Sequence, residues 1–220
     1  RIELERQALA VMDHPNVAKI FDTGVTDGGL PFLAMELVDG PPITEYCDRR
    51  ELGIRERLEL FCKVCRGVQH AHQKGIAHRD LKPNNVLVAE TDGEATPKVI
   101  DFGIAKAMGD SPLAGMGDLT LDGDILGTPE YMSPEQIAAD PAKIDARTDV
   151  YSLGVLLYEL LTGRRPFESS ARHNRMNELF NLIQEGGPVA PSMRFGVLDP
   201  EDSSVLAQKR GTDSTRLRRT

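Results

Sequence analysis

His78-Arg79-Asp80-Leu81-Lys82-Pro83-Asn84-Asn85 is the stretch on which the reading of this chain turns. It sets a carboxylate, cations and amide side chains close together, and its flanks say where it sits. Upstream, from Ile54 to Lys74, apolar residues fall at Leu58, Phe61, Cys65, Val68 and His72, steps of 3, 4, 3 and 4, and Gly75 comes next as a stop. That spacing predicts a long helix ending just before the string. Downstream, Val86-Leu87-Val88 and Lys98-Val99-Ile100 flank a polar loop containing Asp92-Gly93, the signature of a hairpin, and Asp101-Phe102-Gly103 succeeds it. The polar string therefore belongs to a loop between a helix and a hairpin.

Further out, Ile2, Leu4, Ala8, Leu9 and Met12 recur at helical spacing until Asp13-His14-Pro15-Asn16 breaks the pattern. Val17 to Asp22 and Pro31 to Val38 read as two strands around Thr23-Gly24 and Asp27-Gly28-Gly29. Residues 107–127 are rich in Gly, Asp and Ser, which marks a functional or disordered loop. Asp149 to Thr162 is nearly all apolar and predicts a helix buried on every side. Met176, Leu179, Phe180 and Ile183 mark an amphipathic helix closed by Gly186-Gly187-Pro188, and after Pro191 the periodicity fades into a basic tail read as a solvated linker.

Composition narrows the function classes. The chain has 220 residues, 40% hydrophobic and 27% charged, ordinary values for a folded domain. A net charge of −8 argues against nucleic acid as partner, since phosphate binding needs a clustered positive face. Three cysteines do not make a disulfide framework and point to a reducing, cytoplasmic setting. Cys62-x-x-Cys65 lies within the predicted helix without a second pair, short of the four ligands of structural zinc. The longest apolar run, Val150 to Leu161, contains Glu159 and is shorter than the roughly 18 to 20 residues of a bilayer span. No membrane segment is expected in this chain, although other segments of a parent protein could anchor it.

Taken with Asp101-Phe102-Gly103 and with Gly127-Thr128-Pro129-Glu130-Tyr131-Met132-Ser133-Pro134-Glu135, in that order, the string resembles the protein kinase family. The resemblance covers residues 1 to about 190 and implies an α+β, two-lobed kinase fold. Residues 1–38 would be the remnant of the small lobe (helix C, hinge-side strands and hinge), 39–190 the mostly helical large lobe, and 191–220 a loop or linker leading to further helices. The implied cofactors are ATP and Mg²⁺. Asp80 would accept or orient the acceptor's hydroxyl proton, Lys82 reach the transferring phosphate, and Asn85 with Asp101 bind the metal, the carboxylate, cation and oxygen ligands that phosphoryl transfer demands. The Glu36 carbonyl and the Val38 amide and carbonyl would face adenine, with Leu87 beneath the ring. Glu5, nine residues before His14, matches the helix C glutamate that holds a phosphate-binding lysine. Asp149 matches the aspartate that receives the catalytic-loop backbone, and His78 a scaffolding residue packed near Phe102 with Leu9 and Ile20. Lys82 and Thr128 match Ser/Thr rather than tyrosine kinases, and several runs, Gly67 to His72 among them, look most like bacterial Ser/Thr kinases.

The resemblance also implies protein substrates and self-association for autophosphorylation at Thr120 or, second, Ser111, with Arg79 and Lys106 as the receiving basic pocket. Asp122 and Asp124 could partly satisfy Arg79 instead. Asn84 and Pro42 stand where basophilic kinases carry acids, so no preference for basic substrates is expected. Glu135, buried against a late arginine in the family, is expected to lack that partner here, Arg216, Arg218 and Arg219 lying too early. A different class of function is a pseudokinase-like binding module, but Asp80, Asn85 and Asp101 are all intact, and a small-molecule phosphotransferase would not carry Lys82 in this setting. The family's glycine-rich loop and strand lysine have no match. Gly115-Met116-Gly117 lacks the third glycine, and Lys19 of Val17-Ala18-Lys19-Ile20 comes after Glu5. The expectation is a domain clipped at both ends. We therefore expect these 220 residues in isolation to transfer phosphate poorly or not at all; a radiolabelled-ATP assay showing ordinary turnover would refute this.

Overall fold

Why the long helix starts and stops where it does explains much of the arrangement. In the computed structural model, which describes residues 12–29, 31–102, 129–138, 140, 142–168, 175–197 and 199–213, it runs from Ile54 to Gln73. Two short strands, β1 (Ile20–Val25) and β2 (Pro31–Met35), and helix α1 (Ile43–Arg49) precede it, so it is α2. The carboxylate of Glu56, three residues in, accepts the Gly53 N–H at 2.8 Å and closes the N-terminus. Gly75, at φ +76°, ends it in the left-handed conformation glycine adopts without strain. Leu60, Val64, Val68 and Ala71 form its buried stripe. Gly67 lies on the same side because a Cβ there would meet the Asn16 carbonyl oxygen at 2.7 Å, so the turn after Met12 rests directly on the helix.

The predicted hairpin is β3 (Val86–Thr91) with β4 (Glu94–Val99), antiparallel from Val86↔Val99 to Thr91↔Glu94. Its turn residues Asp92 and Gly93 both have positive φ, the type I′ geometry that the dipeptide favours. β1 and β2 form the other two-stranded sheet. Asn16 joins the two halves: its carbonyl accepts the Val99 N–H at 2.9 Å and its Nδ2 donates to the Pro97 carbonyl at 2.9 Å. Val17, Val64, Val86, Val99, Phe102 and Leu156 meet in one apolar core with almost no exposure, each burial contributing about 1.5–3 kcal/mol.

Beyond the hairpin and Phe102 lie a 3₁₀ turn (Pro129–Tyr131), α3 (Pro134–Ile137) and α4 (Ala146–Thr162). α4 begins three residues earlier than its apolar run. Asp145 is its N-cap, accepting the Arg147 N–H at 2.8 Å, and Gly163 at φ +72° ends it. Its burial is less complete than the run suggests, since Val150 in the first turns is 62% exposed. α5 (Arg175–Glu185) buries Leu179 and Ile183 against Phe167. The expected loop over 191–220 is instead helical in α6 (Pro191–Val197) and α7 (Pro200–Gln208). Pro200 at the first helical position and acids Glu201 and Asp202 in the first turn favour α7 locally, with little periodicity to betray it.

The residues just after α7 are not a solvated tail. Arg210, 1% exposed, donates to the carbonyls of Leu161, Leu160, Glu159 and Leu206, while Arg57 of α2, also 1% exposed, donates to those of Leu160, Leu52, Cys47 and Lys209 and to Asp48 Oδ1. Burial, with Arg57 close by, lowers the Arg210 pKa to about 10. Two guanidiniums thus satisfy the free C-terminal carbonyls of α4. We expect Arg57→Met, which keeps the bulk and removes the donors, to lower the unfolding free energy by about 3–5 kcal/mol in urea titrations; a loss under about 1 kcal/mol would show the carbonyls to be satisfied otherwise.

Candidate active site

The polar string occupies residues 78–85 between the end of α2 and β3. The apolar residues Ile76, just before it, and Leu81, within it, are buried and pin the loop from below. Pro83, Asn84 and Asn85 form a 3₁₀ turn that feeds Asn85 into the hairpin, where the Asn85 carbonyl accepts the Ile100 N–H at 3.0 Å.

The side chains at the loop's open face converge. Lys82 Nζ donates to Asp80 Oδ2 at 2.9 Å, and Asn85 Nδ2 donates to the same oxygen at 3.1 Å and to the Asp80 carbonyl at 2.8 Å. Asp80 remains 40% exposed, so its carboxylate is oriented yet reachable. With its amide nitrogen committed to Asp80, the buried Asn85 keeps its amide oxygen, the ligand type a hard divalent cation takes. Asp101 comes after β4 at φ +55°, and Arg79, immediately before Asp80, has φ +65°. Non-glycine residues in this region carry strain that the surroundings must offset, and such strain concentrates at working sites.

The surroundings that offset it are visible. Asp149, completely buried in the first turns of α4, accepts the His78 N–H and the Arg79 N–H at 2.7 Å each, and its Oδ2 lies 2.7 Å from His72 Nε2. It is therefore the receiver of the loop backbone, while capping falls to Asp145. His78 is fully buried beside Phe102, ring centroids 4.8 Å apart; Nδ1 accepts the Asp80 N–H at 3.2 Å and Nε2 lies 2.8 Å from the Ile100 carbonyl, which fixes a neutral ring with its proton on Nε2. Burial drives its pKa below the ordinary 6.5.

Away from the string, Glu36 comes directly after β2 and Val38 is buried, while Leu87 on β3 is half-buried. The Glu36 carboxylate takes Lys98 Nζ at 2.6–2.7 Å and the Lys19 N–H at 3.1 Å. Burial raises its pKa, but these bonds and charges outweigh burial and hold it below its usual value. Gly40 passes so close to the Val88 carbonyl that a Cβ would lie 2.0 Å from it. Glu5, Lys106, Ser111, Thr120, Asp122, Asp124 and Thr128 lie outside the described residues, as do Leu9 and Arg216, Arg218 and Arg219.

Several residues that matter here gave little notice in the sequence. His72, counted only among the helix-spaced positions of the predicted helix, pairs with Asp149. Gln136, in reciprocal capping bonds with Ser133, donates through Nε2 to the Arg79 carbonyl at 2.8 Å, tying the Ser-Pro-Glu segment to the string; the Ser-x-x-Gln spacing was its signal. Glu135 is not left without a partner, because Thr148 Oγ1 donates to it at 2.7 Å. Tyr131 donates to Glu159, and Arg165 pairs with Glu130 at 2.8 Å.

Comparison with known proteins agrees with this geometry. A family model described as protein kinase domain matches residues 1–203. The serine/threonine-protein kinase PknB of Mycobacterium leprae is 36% identical over 211 residues, covering 94% of this chain and 32% of the relative. A probable serine/threonine-protein kinase of Streptomyces coelicolor is 38% identical over 210 residues, and one of Corynebacterium efficiens 40% over 206, each match covering 29% of the relative and 94% and 91% of this chain. The chain thus spans about a third of the length of these curated relatives. Among solved structures, Rad53 1–466 in complex with AMP-PNP superposes with a TM-score of 0.65 at 23% identity, over 99% of this chain and 53% of that one, a likeness of fold.

The state of His78 makes a pH dependence testable. Because the folded chain holds His78, and also His14, below 6.5, the unfolded chain takes up the proton first as the pH falls. The stabilisation is complete above pH 6.5 and is lost below it, by at most about 1.4 kcal/mol per pH unit for each proton. We expect the urea midpoint to fall between pH 7.5 and 5.5 and the fall to shrink in His78→Gln; equal midpoints for the natural chain would refute a buried neutral imidazole.

Proposed function

The chain belongs to the protein kinase family, and on that premise we propose that it is the catalytic core of a Ser/Thr protein kinase that transfers the γ-phosphoryl group of ATP to a Ser or Thr hydroxyl of a protein. The observation that carries this reading is the convergence of Lys82 Nζ and Asn85 Nδ2 on one oxygen of Asp80, in a loop clamped from beneath by Asp149. Lys82 also supports the choice of acceptor, and the relatives of similar sequence are named serine/threonine-protein kinases.

In this reading Asp80 aligns the acceptor hydroxyl and takes its proton as the oxygen–phosphorus bond forms and the bond from the γ-phosphorus to the bridging oxygen breaks. Lys82 moves its cation between the Asp80 carboxylate and the transferring phosphoryl group. Mg²⁺, when bound, neutralises charge on the nucleotide's phosphate oxygens. Asn85 through its amide oxygen and Asp101 through its carboxylate would hold it. Among the described residues no three His, Cys, Asp or Glu side chains gather as a metal site, so the remaining ligands would be phosphate oxygens and water. Adenine would lie against the Glu36 and Val38 backbone over Leu87, with Glu5 pairing a phosphate-binding lysine and Thr128 in the acceptor-side segment. Thr120 and Ser111 are the proposed autophosphorylation sites, reached through self-association of two copies. Among the described residues no helix is long and apolar enough to cross a membrane.

Asp80→Asn is isosteric and keeps an oxygen for Lys82 while abolishing the carboxylate. In the complete natural polypeptide we expect phosphate transfer to a Ser/Thr peptide to fall about 10²- to 10⁴-fold with nucleotide affinity nearly unchanged. Full transfer by this variant would remove Asp80 from the reaction.

A further inference from the structure

The side chains of Glu36 and Lys98 have no part in the proposed phosphoryl transfer, yet they join the segment after β2 to β4. Glu36 opens an irregular segment after β2, in which Leu37 is 92% exposed. Its N–H donates to the Lys19 carbonyl at 2.7 Å and its carboxylate accepts the Lys19 N–H, so it is held on one side by the strand region preceding β1. On the other side Lys98 Nζ reaches both carboxylate oxygens, 2.6 Å from Oε1 and 2.7 Å from Oε2. Lys98 stands directly opposite Leu87 in the β3–β4 register, and opposed residues of an antiparallel pair share a face. Lys98 therefore rises from the same face as Leu87, and three residues further along its strand the chain reaches Asp101 at φ +55°. The far end of the segment is fixed separately: Val88 N–H donates to the Pro41 carbonyl at 2.9 Å beside Gly40.

We infer that Glu36 and Lys98 are positioning residues that set the distance between the adenine-binding backbone and Asp101, so that a nucleotide is recognised as a ligand spanning both ends. This rests on the adenine and metal assignments proposed above. The pair is half-buried, the two side chains 29% and 20% exposed, and such pairs add little to global stability. Its effect is geometric: a ligand held at one end does not sense the separation, whereas one held at both does. A misplacement of about an ångström can cost about 10²-fold in a reaction rate, and a ligand held at both ends is exposed to the same geometric constraint.

The test is calorimetric titration of the complete natural polypeptide and its Lys98→Met and Lys98→Arg variants with two probes, adenosine and Mg·ADP. We expect Lys98→Met to weaken Mg·ADP about tenfold while adenosine affinity stays within about twofold, with Lys98→Arg close to the natural chain and melting temperatures nearly equal. Unchanged Mg·ADP affinity in Lys98→Met, or equal loss for both probes, overturns the inference while leaving the adenine site in place. If the natural chain binds neither probe, the adenine reading itself fails. Hydrogen exchange without ligand then decides the pair: faster exchange of the Glu36 amide in Lys98→Met but not in Lys98→Arg supports the restraint, and an unchanged rate overturns it.

Discussion

A single buried carboxylate holds the arrangement together. Asp149 has lost all its water and recovers the cost through two backbone N–H groups and an imidazole nitrogen, each at 2.7 Å. An unpaired charge in that position would cost several kcal/mol or take up a proton. Charge-assisted bonds to backbone N–H groups are about twice as strong as neutral ones, and the carboxylate also lies in the first turns of α4, where the helix end favours negative charge. In return the bonds hold Arg79 at φ +65°. The strain of that residue and the solvation of Asp149 are thus one problem with one solution, and the direction in which Asp80 faces depends on it.

The same helix is secured at its other end by opposite charge. Arg57 and Arg210 take the Leu160 and Leu161 carbonyls in the last turn of α4, and cations there complement the helix dipole as Asp149 does at the start. α4 therefore acts as a strut between the string and residues far away in sequence, Arg57 in α2 and Arg210 beyond α7. A loop that must present Asp80, Lys82 and Asn85 in a fixed geometry gains more from such a strut than from its own few contacts, because its hydrophobic share amounts to little beyond Ile76 and Leu81.

How much of the molecule the sequence disclosed depends on the range over which each interaction acts. α2 was legible to within a residue or so because its buried stripe and its glycine stop are local patterns, and the β3–β4 turn because Asp92-Gly93 meets a backbone requirement in two residues. The string itself was legible because its chemistry is concentrated in eight positions. Glu36 and Lys98 are 62 residues apart, and Arg57 and the Leu160 carbonyl 103, and no periodicity records such pairs. α7 escaped for a different reason: its stability depends on a first-turn proline, first-turn acids and the docking of Arg210 rather than on an apolar stripe. Val150 shows the converse error, an apolar run equated with burial although a residue in it faces outward.

His78 shows why a residue without a chemical step still has a restricted identity. One nitrogen must accept from the Asp80 N–H and the other must donate to the Ile100 carbonyl, so only a neutral ring protonated at Nε2 satisfies both. A phenylalanine would fill the place beside Phe102 but orphan a donor and an acceptor, each costing about 1–3 kcal/mol when buried. A protonated ring would set its Nδ1–H against the Asp80 N–H. The ring thereby joins the loop that carries Asp80 to the strand end that carries Asp101 through two opposed hydrogen bonds. The coupling works because burial keeps the ring uncharged, so the same apolar core that packs Phe102 also maintains the neutral form on which the bridge depends.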